Sequence, residues 1–182
     1  MVVERGVVEH TCPVPGKGPQ SATDIMVQSR SPSPVAASIA VEGKVDEPFG
    51  GVIADWLKDG KSPNSSANRK VRMAGMCGRL EVPEAAVAPI RYQLLHRTYA
   101  ATVEAAAHGC AIAILLVHSF SPDERTRPGW LDFEKWAAVL NSQADPIMPD
   151  VPWFARNVAG VSVWLLWVSD IGGVRHAAKR RR

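Results

Sequence analysis

The chain has 182 residues, enough for one domain with a substantial core. Hydrophobic residues make up 46% and charged residues 21%, the balance of a globular chain, which excludes a disordered one. The net charge of +3 does not mark a basic surface, because Lys179, Arg180, Arg181 and Arg182 supply four positive charges and leave −1 for the remainder. Cys12, Cys77 and Cys110 are odd in number and far apart, which speaks against a disulfide framework or a zinc site and suits a reducing cytoplasm. Glu4, Arg5, Glu9 and His10 interrupt any signal-peptide core, and the longest apolar run, residues 110–117, is too short to span a bilayer. The expectation is a soluble cytoplasmic protein that does not enter a membrane.

In chain order, residues 1–20 form a poorly defined segment in which Val2-Val3 and Val7-Val8 suit an edge strand. Asp24-Ile25-Met26-Val27 predicts a strand, and Ser31-Pro32-Ser33-Pro34 a turn that forbids ladder pairing there. Ser38-Ile39-Ala40-Val41-Glu42-Gly43-Lys44-Val45-Asp46 predicts the returning strand, apolar and β-branched until charge enters at Glu42 and Lys44. Strand alternation puts Glu42, Lys44 and Asp46 on one face and Val41 and Val45 on the other. Folding the hairpin about its turn sets Asp24 opposite Val41 or Glu42, depending on register. In the second register two carboxylates and a lysine converge, a costly arrangement inside a sheet unless they are paired or bind a cation.

Further along, residues 52–57 predict a short helix, residues 59–67 a polar loop and residues 69–80 a helix burying Met73, Cys77 and Leu80. Asp59-Gly60-Lys61 repeats the acid-x-lysine string of Glu42-Gly43-Lys44, but in a solvated loop, so the repeat carries no function. Residues 90–107 predict a helix with an apolar stripe through Tyr92, Leu95, Tyr99 and Val103 or Thr102. Gln93 and Arg97, four apart, make a polar stripe that either offers both side chains to the hairpin or is simply solvated. His108-Gly109 ends this helix. Residues 110–120 predict a strand buried on both faces, parallel to its predecessor through the crossover helix. His118 and Ser119 lie at its end, with no acid in view for a hydrolase triad. Residues 132–140 predict a helix capped by Asp132, residues 146–152 a proline-rich loop, and residues 161–168 a last strand covered on both sides. Residues 171–182 read as a basic, disordered tail, with phosphate holding as its functional alternative.

Asp24, a hairpin, Glu42-Gly43-Lys44 and a following helix resemble the PD-(D/E)XK nuclease superfamily. Residues 40–50 and Arg91-Tyr92-Gln93-Leu94-Leu95-His96-Arg97-Thr98 are similar to a group of uncharacterised bacterial proteins placed near it, and the likeness covers roughly residues 20–168. Thr23 stands where the motif has proline. Members usually begin with a helix and a further strand, so the start reads as shortened.

The resemblance implies an α/β fold over residues 21–170: a mixed sheet with flanking helices and a restriction-endonuclease-like core. It implies Mg²⁺, or Mn²⁺, held by Asp24, Glu42 and the Gly43 carbonyl, with Asp24, Glu42, Lys44 and Gln93 in the catalytic set. Arg91 and Arg97 are the candidate phosphate contacts. Lys44 would orient or deprotonate the attacking water. The expected partner is nucleic acid, DNA before RNA, and a homodimer is left open. The rival readings are a catalytically degenerate binding module and a metal-dependent hydrolase of another substrate.

Overall fold

The structure is a computed structural model and describes residues 2–17, 20–31, 35–45, 47–120 and 128–170. The central prolines of the hairpin turn, Asp46 and the basic tail therefore lie outside the described residues. Among the described residues six strands form one mixed sheet: β1 (Val2–Thr11), β2 (Ala22–Arg30), β3 (Ala36–Lys44), β4 (Ile112–Ser119), β5 (Trp153–Val158) and β6 (Val161–Ser169). Their spatial order is β1-β2-β3-β4-β6-β5. The β1–β2, β2–β3 and β5–β6 pairs are antiparallel, whereas β3–β4 and β4–β6 are parallel. The helices among the described residues are α1 (Ile53–Lys58), α2 (Pro63–Leu80), α3 (Glu84–Val87), α4 (Tyr92–Ala107) and α5 (Pro128–Leu140). None is long and apolar enough to cross a membrane among the described residues.

The expected edge strand is present as β1, a longer element than its two valine pairs suggested. Helix α2 begins at Pro63, so the polar loop ends earlier than expected. Ser62 is the N-cap, accepting from the Ser65 N–H at 3.2 Å, and Pro63 occupies the first turn, where its missing N–H costs nothing. Helix α5 begins at Pro128, and Asp132 lies inside it rather than capping it.

Strand β5 was not expected from the sequence. Its proline-rich approach hid it, but Ala159 (φ 47°) and Gly160 (φ 82°) form a two-residue turn with both central residues left-handed, the turn that closes a tight hairpin.

The two-sided burial expected of β4 and β6 is also corrected. Ala113, Leu115, Val117, Val163, Leu165 and Trp167 are buried. Their neighbours Ile112, Ile114, Leu116, Trp164 and Leu166 are half-buried. The chain steps from β3 to β4 to β6 in one direction across the sheet, so crossovers of one hand deliver their helices to one face. Continuous apolar sequence therefore does not mean two covered faces here.

The core lies between the sheet and α4. This helix contacts β3, β4, β6, β2, α2 and α5, and Ala100, Ala101 and Ala105 let its backbone approach them closely. Trp136 of α5 donates its Nε1–H to Thr98 Oγ1 at 2.9 Å. Burial on nearly all sides leaves Arg97 only 4% exposed, which overturns the solvated reading of its stripe.

The three cysteines are buried and unpaired. Burial pushes the Cys12 and Cys77 thiols up to about 11, so they stay protonated and unreactive at neutral pH.

Candidate functional site

The hairpin register pairs Ile25 with Val41, Met26 with Ala40 and Gln28 with Ser38. One rung further, Asp24 falls opposite Glu42, which is the second of the two registers allowed by the sequence. Met26, Gln28, Ser38 and Ala40 are all buried on the face that meets α4, and period-two alternation carries Asp24, Glu42 and Lys44 onto that face.

The ladder gives out at this rung. Instead of a backbone partner, the Gly43 N–H donates to Asp24 Oδ2 at 2.9 Å. The N–H and C=O of one residue in an antiparallel pair point to the same neighbour, so the Gly43 carbonyl is turned toward β2 as well. A carboxylate and a carbonyl thus share the gap where the two strands part.

Glu42 is 1% exposed and Lys44 6%. Glu42 Oε1 accepts from Lys44 Nζ at 2.8 Å, and its Oε2 accepts from Arg97 Nε at 2.6 Å. Lys44 also donates to Gln93 Oε1 at 3.1 Å, lies 3.8 Å from Glu47 and sits 5.0 Å above the centre of the Phe49 ring. Gln93 and Arg97, one turn apart on α4, therefore stand over Lys44 and Glu42 respectively. A carboxylate this deeply buried is stable only with such partners.

Arg97 in turn donates Nη1–H to Ser21 Oγ at 3.3 Å and lies 2.9 Å from His96 Nδ1. Burial, then the charges of Arg97 and Arg72, push the His96 pKa down to about 3, so the ring is neutral and accepts from Arg97 through Nδ1. Its proton is then on Nε2, a buried atom without a hydrogen-bond partner among the described residues.

Of the expected site residues, the fold brings together Asp24, Glu42, Gly43, Lys44, Gln93 and Arg97. Arg91 is elsewhere engaged, donating to Asp132 Oδ2 at 2.9 Å and to the Gly50 carbonyl at 3.1 Å. It ties α4 to α5 rather than reaching toward the hairpin. Sequence reasoning did not find Ser21, His96 or Phe49 as neighbours of the site. A serine before a strand and a histidine beside an arginine carry no spacing signal, because their roles arise from how α4 is seated.

His118 does have an acid nearby, Asp170 Oδ2 at 3.5 Å, which the sequence did not reveal. Alternation still puts His118 and Ser119 on opposite faces of β4, so they form no hydrolase triad.

The second acid-x-lysine string behaves as expected. Asp59 is the C-cap of α1, its side chain 77% exposed and 3.8 Å from Arg69 Nη1, and Lys61 is exposed.

Among the described residues no three His, Cys, Asp or Glu side chains are grouped to hold a metal ion. A cation at the hairpin would rest on Asp24, Glu42 and the Gly43 carbonyl. That is a small set of hard oxygens, and it suits Mg²⁺ or Mn²⁺, which keep several of their own waters.

No curated protein and no solved structure matches the chain. One family model matches residues 1–171, and the chain accordingly belongs to the family described as a domain of unknown function, DUF6946.

Proposed function

We propose that the chain is a metal-dependent phosphodiesterase of the PD-(D/E)XK kind, with a restriction-endonuclease-like core and nucleic acid, DNA before RNA, as its substrate. One observation carries this reading. Where the hairpin ladder ends, Asp24 accepts from the backbone N–H of Gly43, between Glu42 and Lys44, which are bonded to each other, and Gln93 of the crossover helix accepts from Lys44. Mg²⁺ or Mn²⁺ held by Asp24, Glu42 and the Gly43 carbonyl would supply a Lewis acid and an activated water. Gln93 accepts from Lys44, whose ammonium would orient that water and offset charge on the phosphate. Arg97, beside Glu42, would be the phosphate contact nearest the hairpin, and Arg91, bonded to Asp132, would be a second one further away.

A second reading has its own support. Both Glu42 oxygens accept from side-chain cations, which is compatible with a nuclease-type fold retained as a binding module.

Incubation of the purified chain with a mixed DNA and RNA panel, with Mg²⁺, Mn²⁺ or chelator, separates the readings. The phosphodiesterase reading predicts cleavage only with metal and a higher melting temperature in millimolar metal. Binding without cleavage on every substrate would leave the second reading standing.

A further inference from the structure

The buried carboxylate of the site is already paired twice. Glu42 carries one negative charge against the positive charges of Lys44 and Arg97, with Asp24 beside the Gly43 N–H and the more exposed Glu47 3.8 Å from Lys44. The Glu42, Lys44 and Arg97 side chains are 2%, 7% and 4% exposed, so solvent screens these charges weakly. A divalent cation entering alone would add positive charge beside a buried carboxylate whose two oxygens already face cations.

The two resident cations are not equivalent. Lys44 keeps Gln93, Glu47 and the Phe49 ring if it leaves Glu42, one of them a carboxylate. Among the described residues Arg97 then keeps Ser21 and His96, both neutral, so its charge calls for a new anion. Guanidinium forms strong paired hydrogen bonds with phosphate.

We propose that Arg97 occupies the place of a cation at Glu42, so that metal and a nucleic-acid phosphate bind together: the phosphate takes the guanidinium as the metal takes the carboxylate. This rests on the phosphodiesterase reading and adds the order of assembly. Metal binding is weak until polyanion arrives, and by linkage the metal strengthens polyanion binding by the same factor.

The test is Mn²⁺ binding, followed by electron paramagnetic resonance, with and without a short phosphorothioate DNA duplex. Wild type should bind Mn²⁺ about tenfold more tightly with the duplex, a typical coupling between two sites. Arg97→Met should bind Mn²⁺ about tenfold more tightly than wild type without the duplex, and the duplex should then add little. Arg97→Gln, smaller and polar, serves if the methionine variant does not fold, and the wild-type comparison needs no variant. Equal Mn²⁺ affinity in wild type and variant, or in wild type with and without duplex, overturns the proposal while leaving the metal site intact. No Mn²⁺ bound by any protein under any condition removes the metal site and the proposal with it.

Discussion

Glu42-Gly43-Lys44 and Asp59-Gly60-Lys61 share a spacing and almost nothing else. In the first, carboxylate and ammonium are buried and bonded to each other at 2.8 Å, with Arg97, Gln93 and Asp24 completing the surroundings. In the second, Asp59 is largely exposed and lies 3.8 Å from Arg69 Nη1, and the lysine is exposed. Two charges two residues apart are cheap in a loop and expensive in a sheet. Only the expensive pair requires an account of what holds it there.

The largest expected stability difference between the two regions follows from this. Glu42→Ala takes the bonded carboxylate from buried Arg97 and leaves Lys44 with the more distant Glu47, and should cost about 3–5 kcal/mol. Asp59→Ala should stay within about 0.5 kcal/mol, as exposed substitutions do. Urea unfolding of both variants checks the pair, and equal losses would erase the distinction.

The surroundings of Arg97 sharpen the comparison through pH. His96 is held neutral in the folded chain, its pKa pushed down to about 3, while in the unfolded chain it titrates at the ordinary value. Above about pH 6.5 both forms are neutral and the contribution of the buried ring is intact. As pH falls from there toward 3, the unfolded chain takes up a proton that the folded chain refuses. Stability should drop by about 1.4 kcal/mol per pH unit from this group alone. His96→Gln should remove that slope relative to wild type in unfolding measured from pH 7 to pH 5, whereas Lys61→Ala should leave it unchanged.

A smaller effect concerns the end of the ladder. Asp24→Ala removes the acceptor for the Gly43 N–H and should cost about 1 kcal/mol, while Asp24→Asn keeps an acceptor oxygen and should cost less. If the alanine and asparagine variants unfold together, Asp24 is not holding that strand end.

Much of the hairpin was legible because its signals are local. A strand, a turn and a returning strand fix a register to within one residue, and the charge at Glu42 and Lys44 could be read against apolar neighbours. The crossover helix and its glycine stop were legible for the same reason, with Gly109 at φ 63° just past α4. Arg97 was not legible as a buried residue, because its environment comes from β2, β3 and the seating of α4 together. Strand β5 escaped because prolines precede it, although the Ala159-Gly160 turn was in the sequence. The half-open sheet was hidden by uniformly apolar strands, since composition cannot reveal which face the crossovers will choose.

The most direct test of the central claim sets Lys44→Ala beside Lys61→Ala in the metal-dependent cleavage assay. Both variants are first shown to be folded by circular dichroism. The account predicts that Lys61→Ala cleaves as wild type does, while Lys44→Ala loses activity by about a hundredfold or more, the scale of removing one preorganised electrostatic contact. Cleavage by Lys44→Ala at the wild-type rate, or loss of cleavage in Lys61→Ala alone, would contradict it.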